Sequence, residues 1–96
     1  MRTGSIRNAS VGHHSRLEPY VSLGPGVTIA SECLIAKGAM IGAGAVIAPK
    51  ISVGENSVVT VGAVVAKDVP AHCVVAGNPA RIVRSGIAGY KDVAVS

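Results

Sequence analysis

A strict six-residue repeat is the feature that most constrains this chain. From Val11 to Pro70, ten consecutive hexads follow one pattern without insertion: Leu, Ile or Val first, a mostly small residue second, and a small or β-branched residue fifth. The first positions are Val11, Leu17, Leu23, Ile29, Ile35, Ile41, Ile47, Val53, Val59 and Val65. An amphipathic helix needs a period near 3.6, and a flat strand alternates with a period of two. A period of six therefore predicts a short strand and a turn, repeated.

Three hexads make one triangular coil, with first and fifth side chains inside and the third and fourth residues at the corner. Ten hexads give about three and a third coils, stacked in parallel at roughly 4.8 Å to form a prism roughly 16 Å tall. Handedness does not follow from the repeat, because crossovers between parallel strands are usually right-handed. A prism this small is marginally stable alone, and three flat faces suit packing as a closed homotrimer.

Composition supports this thin fold and excludes several classes. There is no Phe or Trp, and hydrophobic residues, nearly all Val, Ile and Ala, make up 49% of the chain. Tyr20 and Tyr90 are the only aromatic residues, so the chain lacks the stacking platforms of nucleic-acid binding proteins. The net charge of +4 suits a polyanionic small molecule.

Nothing in the sequence predicts a membrane or secreted protein. Uncharged stretches such as Gly38–Pro49 are too short to cross a bilayer. Arg2 and Arg7 are not followed by the apolar region of a signal peptide. Cys33 and Cys73 form no recognisable disulfide framework, and we interpret them as reduced thiols of a cytoplasmic protein.

Three segments carry a resemblance to a known family: "VGHHSRLEPYVSLGPGV", "AKGAMIGAGAVIAPKISVGENSVVTVGAVVAKDVP" and "VVAGNPARIV". They resemble the hexapeptide-repeat acyltransferases, and most of all the NeuD-like sialic acid O-acetyltransferase group, which includes sugar N-acetyltransferases. The resemblance implies an all-β, single-stranded left-handed parallel β-helix. It also implies acyl transfer, with acetyl-CoA as co-substrate and no metal, to an amino or hydroxyl group of a sugar-like acceptor between trimer subunits.

The predicted organisation has three parts: an N-terminal segment over 1–10, the β-helix over 11–70, and a C-terminal extension over 71–96. Family members usually carry an N-terminal domain that holds the sugar nucleotide, and only ten residues precede Val11 here. After Pro70 we expect a strand and loop that leave the prism and cover its open end, with a turn at Asn78-Pro79. A mobile tail is expected from Ser85 to Ser96.

The predicted catalytic residues are His13 and His14. His13 occupies a corner and matches the family's general base, and an imidazole ordinarily titrates near neutral pH. His14 stands where the family usually has Asp or Glu. Ser22 stands where the family has a second histidine that contacts acetyl-CoA. The alternative interpretation is that these three residues are solvated surface residues without a role in catalysis or binding.

Stacking of residues three hexads apart places His13, Ser31, Pro49 and Lys67 in one corner column. The resemblance implies that the backbone N–H at Ser31 holds the thioester oxygen. Lys67 lies three coils from His13, roughly 14 Å away by strand spacing, where CoA phosphates would bind.

The other predicted cofactor-binding residues are Ala43, Val61 and Arg81. Ala43 and Val61 lie in a second corner column and match family positions that bind acetyl-CoA through the backbone. Arg81, with Arg84 and Lys67, forms a basic group suited to the nucleotide end of CoA.

Two other functions remain open. A non-catalytic trimeric scaffold would explain the changed residues His14 and Ser22 and the short N-terminal segment. A related β-helix carbonic anhydrase would need three histidine ligands for a metal, and the spacing of His13, His14 and His72 supports no such site.

Overall fold

The computed structural model describes residues 9–87, so whatever was predicted for residues 1–8 and 88–96 lies outside the described range. Within that range the chain forms strands only, and no helix that could cross a membrane is present. The strands are β1 Ser10–Val11, β2 Arg16–Leu17, β3 Ser22–Leu23, β4 Thr28–Ile29, β5 Leu34–Ile35, β6 Met40–Ile41, β7 Val46–Ile47, β8 Ser52–Val53, β9 Val58–Val59, β10 Val64–Val65, β11 Cys73–Gly77 and β12 Ala80–Ser85.

Three parallel ladders form the faces of the prism. The first face contains β1-β4-β7-β10, the second β2-β5-β8, and the third β3-β6-β9-β11. Thr28 of β4 lies between Ser10 and Val46 of the neighbouring strands, a register that advances by three hexads at each coil. The triangular coil predicted from the repeat is therefore confirmed.

The interior is filled by the first and fifth residues of the hexads. The first-position Ile29, Ile35, Ile41 and Ile47 are at most 1% exposed, and the fifth positions from Val21 to Val69 are also buried. These side chains form one continuous core along the prism axis. Each coil contributes few apolar atoms, so the core is stable only because the coils stack on one another.

The corners share one backbone conformation. Positive φ angles, between 54° and 75°, occur at nine of the ten fourth positions: His14, Tyr20, Gly26, Glu32, Gly38, Gly44, Lys50, Asn56 and Gly62. The hexad pattern predicted that the third and fourth residues form the corner, but it did not predict this left-handed conformation. Each such corner projects two neighbouring side chains or amides out of the coil.

The last coil differs from the prediction. Instead of leaving the prism after Pro70, the chain adds a bridge between Val53 and Val69 on the second face, and β11 pairs in parallel with β9 on the third. All three faces then have four strand positions, so the helix has four turns instead of three and a third. The spacing shortens from eighteen to sixteen residues here, since Val74 pairs with Val58.

The chain after β11 turns back beyond the last coil and adds an end strand to the sheet of the third face. A turn containing a cis Asn78-Pro79 bond leads into β12, which pairs antiparallel with β11. Ile87 is 4% exposed and packs with Val58 and Val74 on the outer surface of the third face. The Ile87 N–H also donates to His72 O at 3.1 Å, so the first residues of the expected tail contact the helix.

Candidate active site

Two corner columns flank the first face, and they contain six of the eight predicted site residues. His13, Ser31, Pro49 and Lys67 follow β1, β4, β7 and β10 in turn. Backbone hydrogen bonds between successive corners hold this column: Glu32 N donates to His13 O at 2.9 Å, and Lys50 N to Ser31 O at 3.0 Å. His14 shares the first of these corners.

Ala43 and Val61 lie in the opposite column, on the other side of the first face. Backbone hydrogen bonds of the same kind hold this column: Gly44 N donates to Pro25 O and Gly62 N to Ala43 O, both at 2.9 Å. The face between the columns is polar near the histidines and apolar further along, since Ser10 and Thr28 precede Val46 and Val64 in its outward row. The fold thus places an extended surface between the two predicted sets.

The two histidines are adjacent at an exposed corner of the first coil. Their ring centroids lie 6.4 Å apart with the planes tilted by 49°. Within residues 9–87 neither imidazole forms a hydrogen bond or an ion pair. Both side chains are therefore exposed at the surface of the described chain.

The N–H groups at several third positions have no acceptor within the described chain. This holds for Ser31, Ala43 and Val61, whereas the carbonyl groups of Ser31 and Ala43 accept bonds from the next corner. The same property explains why proline is tolerated at the equivalent positions 19, 25 and 49, because proline has no N–H to leave unpaired. Three of the predicted cofactor-binding residues thus carry a backbone donor available to a ligand.

A cavity of about 270 Å³ opens at the last coil, between the end of the prism and the β11–β12 hairpin. Lys67 and Arg81 both line it, so the structure brings together two of the predicted residues that are 14 positions apart in sequence. Asp68 also lines it, but one of its carboxylate oxygens accepts the Ser52 N–H at 2.9 Å. The two cations make the cavity suited to an anionic group, and Arg84 lies on the same strand as Arg81.

Ser22 is not brought to this surface. It lies on β3 of the third face, in the same row as Met40 and Val58. His72 is also separate: its half-buried ring donates from Nδ1 to Ile87 O at 2.9 Å, which indicates a structural role. In the described part of the chain, no three His, Cys, Asp or Glu side chains are grouped so that they could hold a metal.

Sequence reasoning missed two features near the histidines. Glu32 stands one coil from His14 in the same position of the corner, so the repeat already relates these two residues. A second cavity, of about 340 Å³, is lined by residues 15–19 of the first coil, including Arg16 and Glu18. No pattern in the sequence predicts this cavity, because its shape depends on how the first coil ends.

Comparison with solved structures identifies the fold. The chain is similar to WeeI from Acinetobacter baumannii (36% identity, TM-score 0.81, 84% of this chain and 41% of that one). It is also similar to the acetyltransferase domain of PglB from Neisseria gonorrhoeae in complex with acetyl coenzyme A (31%, 0.82, 84% and 40%).

A third similar structure is a variant of the perosamine N-acetyltransferase of Caulobacter crescentus with CoA and GDP-perosamine (31% identity, TM-score 0.79, 80% of this chain and 37% of that one). The chain spans about two fifths of the length of these proteins. No family model and no curated protein sequence matches it.

The shared region is the helix of stacked hexads, and its identity to these proteins reaches 36%. The left-handed winding of the β-helix, which does not follow from the repeat alone, belongs to this shared fold. Residues 9–87 therefore have the left-handed β-helix fold of the hexapeptide-repeat acyltransferases.

Proposed function

We propose that this β-helix transfers an acetyl group from acetyl-CoA to the amino group of a sugar-like acceptor, with His13 as general base. The observation that carries the proposal is the arrangement along one corner column. An accessible histidine pair lies at the first coil, and a cationic cavity lies at the last. The similar structures with CoA, acetyl-CoA and GDP-perosamine support the same choice of substrates.

Acetyl-CoA would lie lengthwise along the first face. Its phosphates would meet Lys67 and Arg81, because paired cations bind phosphate oxygens with charge-assisted hydrogen bonds. The N–H groups of Ala43 and Val61 would bind the pantetheine amides from the opposite column. The separation of roughly 14 Å between His13 and Lys67, three coils at strand spacing, allows an extended arm to reach from one to the other.

The reaction needs a base at the thioester end. The acceptor nitrogen attacks the thioester carbonyl carbon while an imidazole nitrogen of His13 takes the proton that the amine loses. The Ser31 N–H would donate to the oxyanion of the tetrahedral intermediate. The carbon–sulfur bond then breaks, and the CoA thiolate leaves and takes up a proton.

Assembly completes the proposed site. We propose a homotrimer in which the first face of one subunit lies against its neighbour, so that the acyl group is enclosed between two subunits. Exposed Val46 and Val61 on and beside this face are consistent with a surface covered on assembly. Enclosure would also exclude water, which competes with the acceptor for the thioester.

The test combines binding and turnover of the full chain. Calorimetry with acetyl-CoA is expected to give saturable binding near one site per chain. His13→Ala should lower turnover by about 10²–10⁴-fold, the usual contribution of a general base, with acetyl-CoA affinity and mass in solution unchanged. Glu55→Ala is the matched control, since Glu55 is an exposed third-position residue on the corner away from the first face, and it should leave turnover unchanged.

Two outcomes would overturn the proposal at different points. Unchanged turnover in His13→Ala would remove His13 from the mechanism while leaving the acetyltransferase activity. Absence of acetyl-CoA binding by the folded protein would instead favour a β-helix that serves as a scaffold. That function would explain why His14 and Ser22 replace the residues usual in the family.

A further inference from the structure

One hexad of the first coil, residues 17–22, departs from the repeat at two positions. Glu18 is the only charged residue among the ten second positions, which otherwise hold Gly, Ala or Thr. Tyr20 is the only aromatic residue in the ten hexads. Glu18 lines the cavity of about 340 Å³ at the first coil, and Tyr20 directly follows the segment 15–19 that forms its wall. The requirements of the coil explain neither residue.

Tyr20 has a strained backbone conformation. Its φ angle is 66°, and a bulky side chain in this left-handed region raises the free energy of the fold. The next two corners of the same column hold Gly38 and Asn56, with φ angles of 75° and 54°, and these residue types adopt the conformation at less cost. Burial does not offset the strain, because Tyr20 remains 71% exposed. Strain without such an offset is typical of residues that serve a function.

The two unusual residues are joined through Lys37 of the next coil. Lys37 Nζ lies 5.8 Å from the centroid of the Tyr20 ring, a distance at which an ammonium group is attracted to the ring face. Glu18 Oε1 accepts the Lys37 N–H at 3.1 Å. Within residues 9–87 the Tyr20 hydroxyl has no hydrogen-bond partner. The contacts with Lys37 therefore hold both side chains at the cavity and leave most of the aromatic ring open.

Arg16 and Glu18 supply the polar groups of this cavity. They are two residues apart on an extended segment, so both side chains project outward from the coil. Glu18 keeps one carboxylate oxygen free, and Arg16 has no hydrogen-bond or ion-pair partner in the described part of the chain. One cation and one carboxylate balance each other here, whereas the cavity at the last coil has an excess of positive charge. The first-coil cavity is therefore suited to an uncharged ligand with hydroxyl groups.

We propose that the first coil carries a carbohydrate-binding subsite for one uncharged pyranose unit. The C–H face of the sugar ring stacks on Tyr20, because the negative face of an aromatic ring attracts polarised C–H groups. Arg16 donates to the hydroxyl oxygens, and the free oxygen of Glu18 accepts from the hydroxyl groups. A volume of about 340 Å³ lies near the lower end of small-molecule sites and suits a single sugar ring. The subsite goes beyond the proposed acetyl transfer and does not depend on it.

Tyrosine fluorescence tests the subsite directly. The chain has no Trp, and Tyr90 is the only other tyrosine, so in the variant Tyr90→Phe the emission comes from Tyr20 alone. Titration of this variant with the methyl β-pyranosides of glucose, galactose and N-acetylglucosamine should give a saturable change with at least one of them. Glycerol, a polyol without a ring, should give no saturable change at the same concentrations.

Substitutions distinguish a ligand-binding ring from a ring that only packs, with affinities measured by NMR signals of the saccharide. Tyr20→Asn should weaken binding about fivefold, the usual worth of an aromatic contact. It should not lower the unfolding temperature, because Asn56 holds the same conformation in this column. Tyr20→Phe should keep the affinity, since stacking needs the ring and not the hydroxyl. The matched control Glu55→Gln changes an exposed residue of the same corner column and should leave the affinity unchanged.

The outcomes separate this subsite from the proposed acetyl transfer. No saturable change with any of the three pyranosides, or equal affinity in Tyr20→Asn and the parent protein, overturns the subsite. A lowered unfolding temperature in Tyr20→Asn with unchanged affinity assigns the ring to packing on Lys37 and also overturns it. Loss of affinity in Tyr20→Asn but not in Glu55→Gln supports the subsite. His13→Ala should bind the saccharide as the parent protein does, so a failure of the proposed general base leaves this result in place.

Discussion

At the residue scale, the corners depend on residues that hold positive φ angles. Gly fills four of the nine such fourth positions, and five other residue types fill the rest. A non-glycine residue in this conformation is strained by about 1–2 kcal/mol. The second positions set a different limit, since a Cβ added at Gly42 would lie 2.6 Å from Val61 N. Glycine therefore relieves backbone strain at the fourth positions, whereas at the second position Gly42 it leaves room for the neighbouring backbone.

Two glycine substitutions distinguish these causes. Gly44 has a φ of 71°, and an added Cβ meets nothing within 4 Å, so Gly44→Ala should cost about 1 kcal/mol, all of it conformational. Gly42→Ala should cost about 3 kcal/mol, at the upper end of overpacking effects, because backbone must move. Urea unfolding at one fixed protein concentration measures both. Equal losses would contradict the separate causes.

At the element scale, two interior serines join one coil to the next. The N–H of Ser57 closes its own corner on Gly54 O at 3.3 Å, as Ala39 N does on Ala36 O at 3.2 Å. In addition, Ser57 inserts its hydroxyl into the corner above, donating to Pro70 O at 2.5 Å and accepting from Cys73 N at 3.2 Å. This bridge holds the shortened last coil that carries β11.

Ser15 forms the same bridge at the other end of the helix, with Ala30 O at 2.6 Å and Cys33 N at 3.0 Å. Ser57 is fully buried, whereas Ser15 is only half-buried. Ser57→Ala should therefore lower the free energy of unfolding by about 2 kcal/mol, because the buried Cys73 N–H and the part-buried Pro70 carbonyl lose their partner.

Ser15→Ala is the matched variant and should lose about 1 kcal/mol, since water can replace the hydroxyl at a half-buried site. Thermal unfolding of both variants beside the parent protein measures the difference. A greater loss in Ser15→Ala would contradict the ranking by burial, and no loss in Ser57→Ala would show that the bridge at the last coil does not stabilise the helix.

At the scale of the whole molecule, the described chain measures only 30 × 28 × 21 Å. Apolar side chains remain exposed on all three sides of the prism, including Leu34 on the second face, Val46 on the first and Ile82 on β12. A prism with so little interior gains stability when such surfaces are covered. The proposed trimer would supply that cover as well as the second wall of the site.

If the trimer forms, stability depends on protein concentration. We expect sedimentation equilibrium to give three times the 9.6 kDa chain mass. The unfolding temperature should rise with protein concentration, because association stabilises the folded chain by mass action. A monomer mass with a concentration-independent unfolding temperature would contradict the trimer and leave the proposed site with one wall.

The hexad pattern by itself determined the triangular coil, the interior residues and the third-and-fourth-position corners. It could do so because each hexad makes local contacts and stacks on its equivalent three hexads away, so a strict period fixes the neighbours. For the same reason, His13, Ser31 and Lys67 could be placed in one column before any coordinates. The direction of turn could not be read from the period, since both hands bury the same residues.

Only the tertiary structure decided what happens where the repeat ends or where different columns meet. The fourth turn after Pro70, the buried Ile87, and the cavity shared by Lys67 and Arg81 all depend on pairings between segments that no period relates. A periodic sequence specifies the contacts between equivalent positions of its repeat. The contacts between segments that the period does not relate are set only when the chain folds.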